Sequence, residues 1–219
     1  MMPFPGALTD TANGSALFSL VAALLYLAML SRPPSWRRTL AKTAAVGLLA
    51  LLSVLLGGPV LLTAALVLSA LGDACLAQDG ERFFLSGLAS FLAAHLAYVG
   101  LFLSLATVQT GSEMIAMGLL GTVTAAVGVG LVRKAGQLAL PVALYVVAIA
   151  AMGVTAVPVG GLVLVGAIMF MASDTMLGVE KFLLSAAAPA RAVTAPAIWL
   201  LYYGGQLALA LGFLTVIAL

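Results

Sequence analysis

Two aspartates, Asp73 and Asp174, stand late in long apolar runs and share a local pattern. Gly72-Asp73-Ala74-Cys75-Leu76 is followed by Glu81-Arg82-Phe83, and Ser173-Asp174-Thr175-Met176-Leu177 by Glu180-Lys181-Phe182. In both, a small residue, Asp, two residues and Leu lead to an acidic–basic–Phe triplet. A carboxylate inside a lipid-spanning segment is costly and by default marks a functional site. Two such groups brought together suit acid–base chemistry, one keeping its proton while the other stays charged. The plain alternative is intramembrane salt bridging, with Lys42 or Lys181 as partner.

The other polar residues in apolar runs are few. Ser86, Ser90, His95 and Tyr98 fall in one run, with His95 and Tyr98 three apart on one helical face. His95 is the single histidine and lies near the midplane of its run. Trp199, Tyr202, Tyr203 and Gln206 fall in the last run, where Tyr202 and Gln206 are four apart. Lys42 opens an early run just after Arg37 and Arg38. Each has an ordinary reading too. His95 serves equally as an interhelical hydrogen bond, Tyr202 or Tyr203 as an interfacial belt residue, and Lys42 as a snorkelling topology charge. Cys75 reads as packing. Asp79, Glu81, Glu113 and Glu180 read as solvated loop ends. One His and two Asp match no metal-ligand spacing, and no nucleotide loop, nucleophile elbow or HExxH is present. No metal or organic cofactor is expected.

These residues need a membrane scaffold. The chain is 64% hydrophobic and 7% charged, far from the balance of a soluble domain. The runs are continuous rather than alternating, which excludes a barrel. A span takes about 20 apolar residues. The sequence predicts an all-α polytopic membrane protein: eight transmembrane helices in one bundle, forming one domain over 1–219. The predicted spans are 13–31, 41–57, 59–78, 83–107, 113–132, 137–154, 159–179 and 193–217. The single cysteine rules out an internal disulfide. No basic stretch precedes the first apolar run, so no cleaved signal peptide is expected. The net charge of +2 is spread between apolar runs and gives no sign of nucleic-acid binding.

Charge placement supports the count. Arg32, Arg37, Arg38 and Lys42 follow span one; Arg82 lies between three and four; Arg133 and Lys134 between five and six; Lys181 and Arg191 between seven and eight. Every Lys and Arg therefore falls at an odd-to-even connection, and by the positive-inside rule that side is cytoplasmic, with both termini outside. Spans three and seven then run the same way, with their aspartates at matching depth. Two parallel four-helix halves would produce this, as would chance likeness between two Leu/Ala-rich stretches.

Taken together, four blocks are similar to the YhhN family of membrane proteins, which includes the lysoplasmalogenases. They are Gly72-Asp73-x-x-Leu76; Phe84-x-x-Gly87-x-x-x-Phe91-x-x-x-His95-x-x-Tyr98; Phe170-x-x-Ser173-Asp174-x-x-Leu177; and Tyr202-Tyr203-x-x-Gln206. Lys42 also matches, although Thr43 follows where the family often has proline. The resemblance implies hydrolysis of the vinyl ether of a lysoplasmalogen, giving a fatty aldehyde and a glycerophospho-ethanolamine or -choline. Asp73 and Asp174 would be catalytic, with Lys42, His95, Tyr98, Tyr202, Tyr203 and Gln206 binding substrate or supporting the carboxyls. The partners would be a lysophospholipid drawn from the bilayer and water. The expected location is the bacterial inner membrane, with the site opening toward the cytoplasmic half.

The chemistry agrees with such residues. Vinyl ethers hydrolyse by protonation at the β-carbon, and water traps the resulting oxocarbenium ion. This asks for a protonated acid and a nearby anion, as glycosidases do. A carboxyl in apolar surroundings keeps its proton more readily than one in water. The rival readings are a proton-coupled transporter, an intramembrane aspartyl protease, an ester-type lysolipid hydrolase and a non-enzymatic scaffold. Spans three and seven carry no internal proline, which disfavours the broken helices of transporters. Protease signatures and an activated serine are missing from the sequence.

Overall fold

The computed structural model describes residues 11–105, 110–185 and 187–217, with side chains as far as Thr215. Eight α-helices fill the described residues: α1 Thr11–Ala28, α2 Trp36–Leu55, α3 Val60–Leu76, α4 Glu81–Ser104, α5 Gly111–Lys134, α6 Ala139–Ala156, α7 Gly161–Phe182 and α8 Arg191–Ile217. A short 3₁₀ turn, Gly136–Leu138, leads into α6. Seven helices are long and apolar enough to cross a membrane, and the chain is an integral membrane protein. The exception is α3, with 17 residues. The segment before Thr11 and the predicted end of the fourth span at 106–107 lie outside the described residues.

Several helix ends depart from the sequence reading for local reasons. Helix α2 starts at Trp36 rather than 41, because Ser35 is extended and its Oγ caps the amide of Arg38 at 3.4 Å. Arg37 and Arg38 therefore stand on the helix and not in a loop. Helix α5 starts at Gly111 on a capping box, Thr110 and Glu113 each bonding the other's backbone amide. Helix α7 runs three residues past the expected 179 and carries Glu180 and Lys181 with it.

Neighbours in sequence pack as neighbours in space: α1 on α2, α2 on α3, α3 on α4, α5 on α6, α6 on α7 and α7 on α8. Two further pairings close the bundle, α2 with α8 and α4 with α6. Both follow from one rule. If α1–α4 is matched to α5–α8 in order, α2 on α8 becomes α6 on α4. Each half thus lends its fourth helix to the second helix of the other. Asp73 and Asp174 are each the fourteenth residue of their helix. The parallel-repeat pattern is present in the packing, although outside the aspartate motifs the two halves barely match in sequence.

The halves are held by apolar packing and close backbone approach. Leu49, Leu66, Phe102, Phe170 and Leu209 lie in the common core. Helices α7 and α8 touch main chain to main chain. A Cβ on Gly166 would fall 2.8 Å from the Gly205 carbonyl oxygen, and one on Gly205 would fall 2.9 Å from the Gly166 oxygen and 3.0 Å from the Phe170 amide. In lipid, where apolar surface gives no drive to associate, such small-residue contacts hold helices together. Gly205→Ala should lower stability by about 1–3 kcal/mol, read as a lower midpoint in thermal unfolding of the purified protein. Gly130→Ala, whose Cβ would meet open space, should leave the midpoint unchanged.

Candidate active site

Asp73 is buried on α3 with both carboxyl oxygens engaged. Oδ1 lies 3.1 Å from the Lys42 ammonium of α2, and Oδ2 accepts the Tyr202 hydroxyl proton of α8 at 2.7 Å. The ammonium beside Oδ1 and the hydroxyl donated to Oδ2 both favour the charged carboxylate. Gly72 makes the setting possible. A Cβ there would lie 2.7 Å from the ring of Phe91, and that ring packs edge-on to Tyr202 at 5.6 Å and to Phe170 at 6.1 Å. Lys42 stands 5.8 Å from the centre of the Tyr26 ring, which in turn meets Trp199 at 4.3 Å. The Trp199 indole donates to the Ala23 carbonyl at 3.0 Å and pins α8 to α1.

Asp174 on α7 has different company. The Tyr145 hydroxyl of α6 donates to its Oδ2 in a short hydrogen bond. His95 Nε2 of α4 lies 3.6 Å from the same oxygen. The other ring nitrogen, Nδ1, is 2.6 Å from the Phe91 carbonyl oxygen, which can only accept. Nδ1 therefore carries a proton, and in the neutral ring Nε2 turns a lone pair toward the carboxyl. That approach is favourable only when a proton resides on the carboxyl or on Nε2. The imidazole is fully buried, 4.7 Å from the Phe170 ring and 5.2 Å from the Tyr145 ring.

The two carboxyls are the two-fold arrangement seen at side-chain level. Asp73 is held from α2 and α8, Asp174 from α6 and α4, the same pairs that exchange between halves. Lys42 and Tyr145 are each the seventh residue of their helix. Both carboxyls line one cavity.

Of the other residues singled out in the sequence, Tyr98 and Gln206 stand one step behind. The Tyr98 hydroxyl donates to Gln206 Oε1 at 2.6 Å, and Gln206 lies one helical turn from Tyr202 on α8. Tyr203 faces away, its hydroxyl 3.0 Å from Ser19 Oγ, which itself donates to the Ala45 carbonyl at 2.5 Å. Tyr202 and Tyr203 are both buried, so neither is a belt residue. Salt bridging accounts for Asp73 alone; among the described residues Asp174 pairs with no lysine or arginine. Glu180 is not the solvated loop end expected of it. The extension of α7 buries it against α8, where Arg191 bonds it at 3.1 Å and Thr194 donates to it. Tyr145 escaped the sequence reading, although its match to Lys42 in the other half marks its place.

Two connected spaces meet at this group. A cavity of about 560 Å³, more polar than the slot beyond it though of mixed lining, is bordered by Tyr26, Arg38, Lys42, Asp73, Asp174 and Tyr202, among others. Beyond Asp174 an apolar slot of about 80 Å³ runs between α4, α5, α6 and α7, past Phe84, Leu131, Val142 and Ile149. Asp174, Phe91 and Leu177 border both spaces. Among the described residues no group of three His, Cys, Asp or Glu side chains is arranged to hold a metal ion.

Comparison with known proteins identifies relatives. The chain is 34% identical over 168 residues to proteins named lysoplasmalogenase from Mycobacterium bovis and Mycobacterium tuberculosis. Each alignment covers 69% of this chain and 59% of the relative, so the chain spans less than two thirds of the length of those relatives. No solved structure matches. The YhhN family model matches residues 37–213, a stretch that takes in both carboxyls together with Lys42, His95, Tyr145 and Tyr202, and the chain belongs to the YhhN family.

Proposed function

We propose that this protein is a lysoplasmalogenase, hydrolysing the vinyl ether of an alkenyl-lysophosphoethanolamine or -choline. One observation carries the reading: a salt-bridged carboxylate and a second carboxyl without a cationic side chain share a cavity that continues into an apolar slot. The amphiphile lies with its chain in the slot and its headgroup in the polar cavity, so that the ether meets Asp174. The Asp174 carboxyl gives its proton to the β-carbon of the alkene, and the adjacent carbon becomes an oxocarbenium ion. The Asp73 carboxylate, fixed by Lys42 and Tyr202, faces that positive charge. Water adds to the cationic carbon and its proton passes to Asp174, with His95 Nε2 beside it as the alternative acceptor. As the resulting hemiacetal collapses, its hydroxyl proton is taken up by the acid–base pair of Asp174 and His95, an equal proton is given to the glycerol oxygen, and the bond from carbon to that oxygen breaks. The products are a fatty aldehyde and a glycerophospho-base, and Asp174 is again protonated.

Tyr145 and His95 position the acid in this scheme, and Tyr98 and Gln206 support Tyr202. Tyr203 supports the site only through the packing of α8 on α1. The 219 residues act as one membrane domain. The cationic ends of the helices face the cytoplasm, which puts both termini outside and opens the cavity toward the inner leaflet.

The test is aldehyde release by purified protein in detergent from alkenyl-lysophosphoethanolamine and its choline analogue, with an acyl lysolipid as control. Aldehyde should come from the alkenyl lipids alone. Asp73→Asn and Asp174→Asn should each lower turnover by about 100-fold or more, and turnover within a few-fold of wild type in either folded variant would sink the dyad. A wild-type protein that releases no aldehyde from either lipid would end the hydrolase reading. Tyr145→Phe removes the hydroxyl that Asp174 accepts and should cost about tenfold in kcat with little change in KM.

A further inference from the structure

Among the described residues, Arg38 is the half-buried cation of the cavity that no carboxylate claims. It follows Arg37 directly on α2, yet the two side chains serve different places. Arg37 lies over the ring of Trp36, 5.4 Å from its centre, and that indole is 70% exposed, as at a membrane–water boundary. Arg38 is half-buried and lines the polar cavity one helical turn from Lys42, on the same face of α2. Its guanidinium sits 5.5 Å from the Tyr26 ring centre, and Nη2 donates to the Tyr26 hydroxyl at 3.5 Å. Its Nε is buried without a hydrogen-bond partner among the described residues.

The other charges facing the cavity are already engaged or lie in water. Lys42 is bound to Asp73 and Arg191 to Glu180. Lys181 is exposed and rests over the Phe84 ring at 4.5 Å. Asp79 and Glu81 are exposed at the rim, and among the described residues neither forms an ion pair with Arg38. Lys42, the neighbouring cation on α2, is the other group placed to meet a phosphate. Its ion pair with Asp73 removes it from that role, because an ammonium drawn to a phosphate would leave a buried carboxylate alone. A guanidinium with a free N–H, tethered by an aromatic ring, has the geometry and fixed charge to take a phosphodiester.

We infer that Arg38 is the phosphate-binding residue of this cavity, holding the phosphodiester of a single-chain phospholipid whose chain lies in the slot beyond Asp174. The inference rests on the lysophospholipid reading of the cavity. It adds a reason for headgroup recognition and for the direction in which the lipid lies, with phosphate at the α2 side and chain at the α4–α7 side.

The test is binding of a saturated 1-O-alkyl-lysophosphoethanolamine, which has no vinyl ether to hydrolyse, to the full-length protein in detergent. The 1-O-alkylglycerol of the same chain length is the phosphate-free comparison. Arg38→Gln should weaken the lysophospholipid about tenfold or more and leave the alkylglycerol unchanged, while Arg38→Lys should retain much of the affinity. Equal loss for both ligands would mean a structural role, and no loss for the phospholipid would mean no phosphate contact; either overturns the inference. Inorganic phosphate that displaced the lysolipid at comparable concentration would overturn the lipid assignment in favour of a general anion site. Because binding is read without turnover, a wild-type protein that makes no aldehyde yet shows the Arg38-dependent difference loses the hydrolase reading and keeps this one.

Discussion

A carboxylate and an ammonium stand together inside the bilayer span, and their mutual dependence constrains the rest. Removed from water, Asp73 and Lys42 would each carry a desolvation cost that only the other offsets. Helices α2 and α3 must therefore pack so that these two residues meet, and α8 must bring Tyr202 to the remaining oxygen. Gly72 gives room for Phe91, Phe91 supports Tyr202, and Tyr26 lies against both Lys42 and Trp199. Loss of the ammonium would leave an uncompensated charge, so the pair is better understood as a fixed electrostatic point than as a source of stability.

The second carboxyl repeats the geometry with a different chemistry. The position that holds a lysine in one half holds a tyrosine in the other, and the helix borrowed from the opposite half brings a histidine instead of a tyrosine. One half is built around a charge already satisfied by an opposite charge. The other half is built around a carboxyl met by an uncharged hydroxyl and by an imidazole whose outer nitrogen lacks a carbonyl to bond. Two-fold packing brings the groups to one cavity, and the departure from two-fold chemistry gives them different partners.

Much of this was readable from residue type and spacing. A polar side chain in an apolar run has few innocent explanations, and Asp73, Asp174, Lys42, His95 and Tyr202 all announce themselves in that way. The number of helices followed from the apolar runs, with the one-sided placement of Lys and Arg in support; all eight helices are present, and α3, at 17 residues, is the one that falls short of a full span. What could not be read was direction. Arg37 and Arg38 are identical to any count of charges, yet they point about 100° apart on the helix, one beside an exposed indole and one into the cavity. Tyr145 is an ordinary aromatic until the partner helix that brings it to Asp174 is known. Glu180 looks like a loop residue because an acidic–basic pair after an apolar run usually ends a span. Here Arg191, supplied by the next helix, makes it affordable to carry α7 onward.

The brevity of α3 has a consequence for how a lipid reaches the cavity. Seventeen residues rise about 25 Å, several ångströms less than a typical hydrocarbon core. Asp73 is only three residues from the end of that helix. A short span is met by thinning of the surrounding bilayer or by burial of its end under neighbouring elements. Thinning brings the interfacial zone toward the carboxylate. On the lysophospholipid reading, a lipid travelling along the leaflet would bring its glycerol backbone level with the site while its headgroup stays hydrated, and entry would be sideways drift along a shallow slope rather than extraction from the membrane.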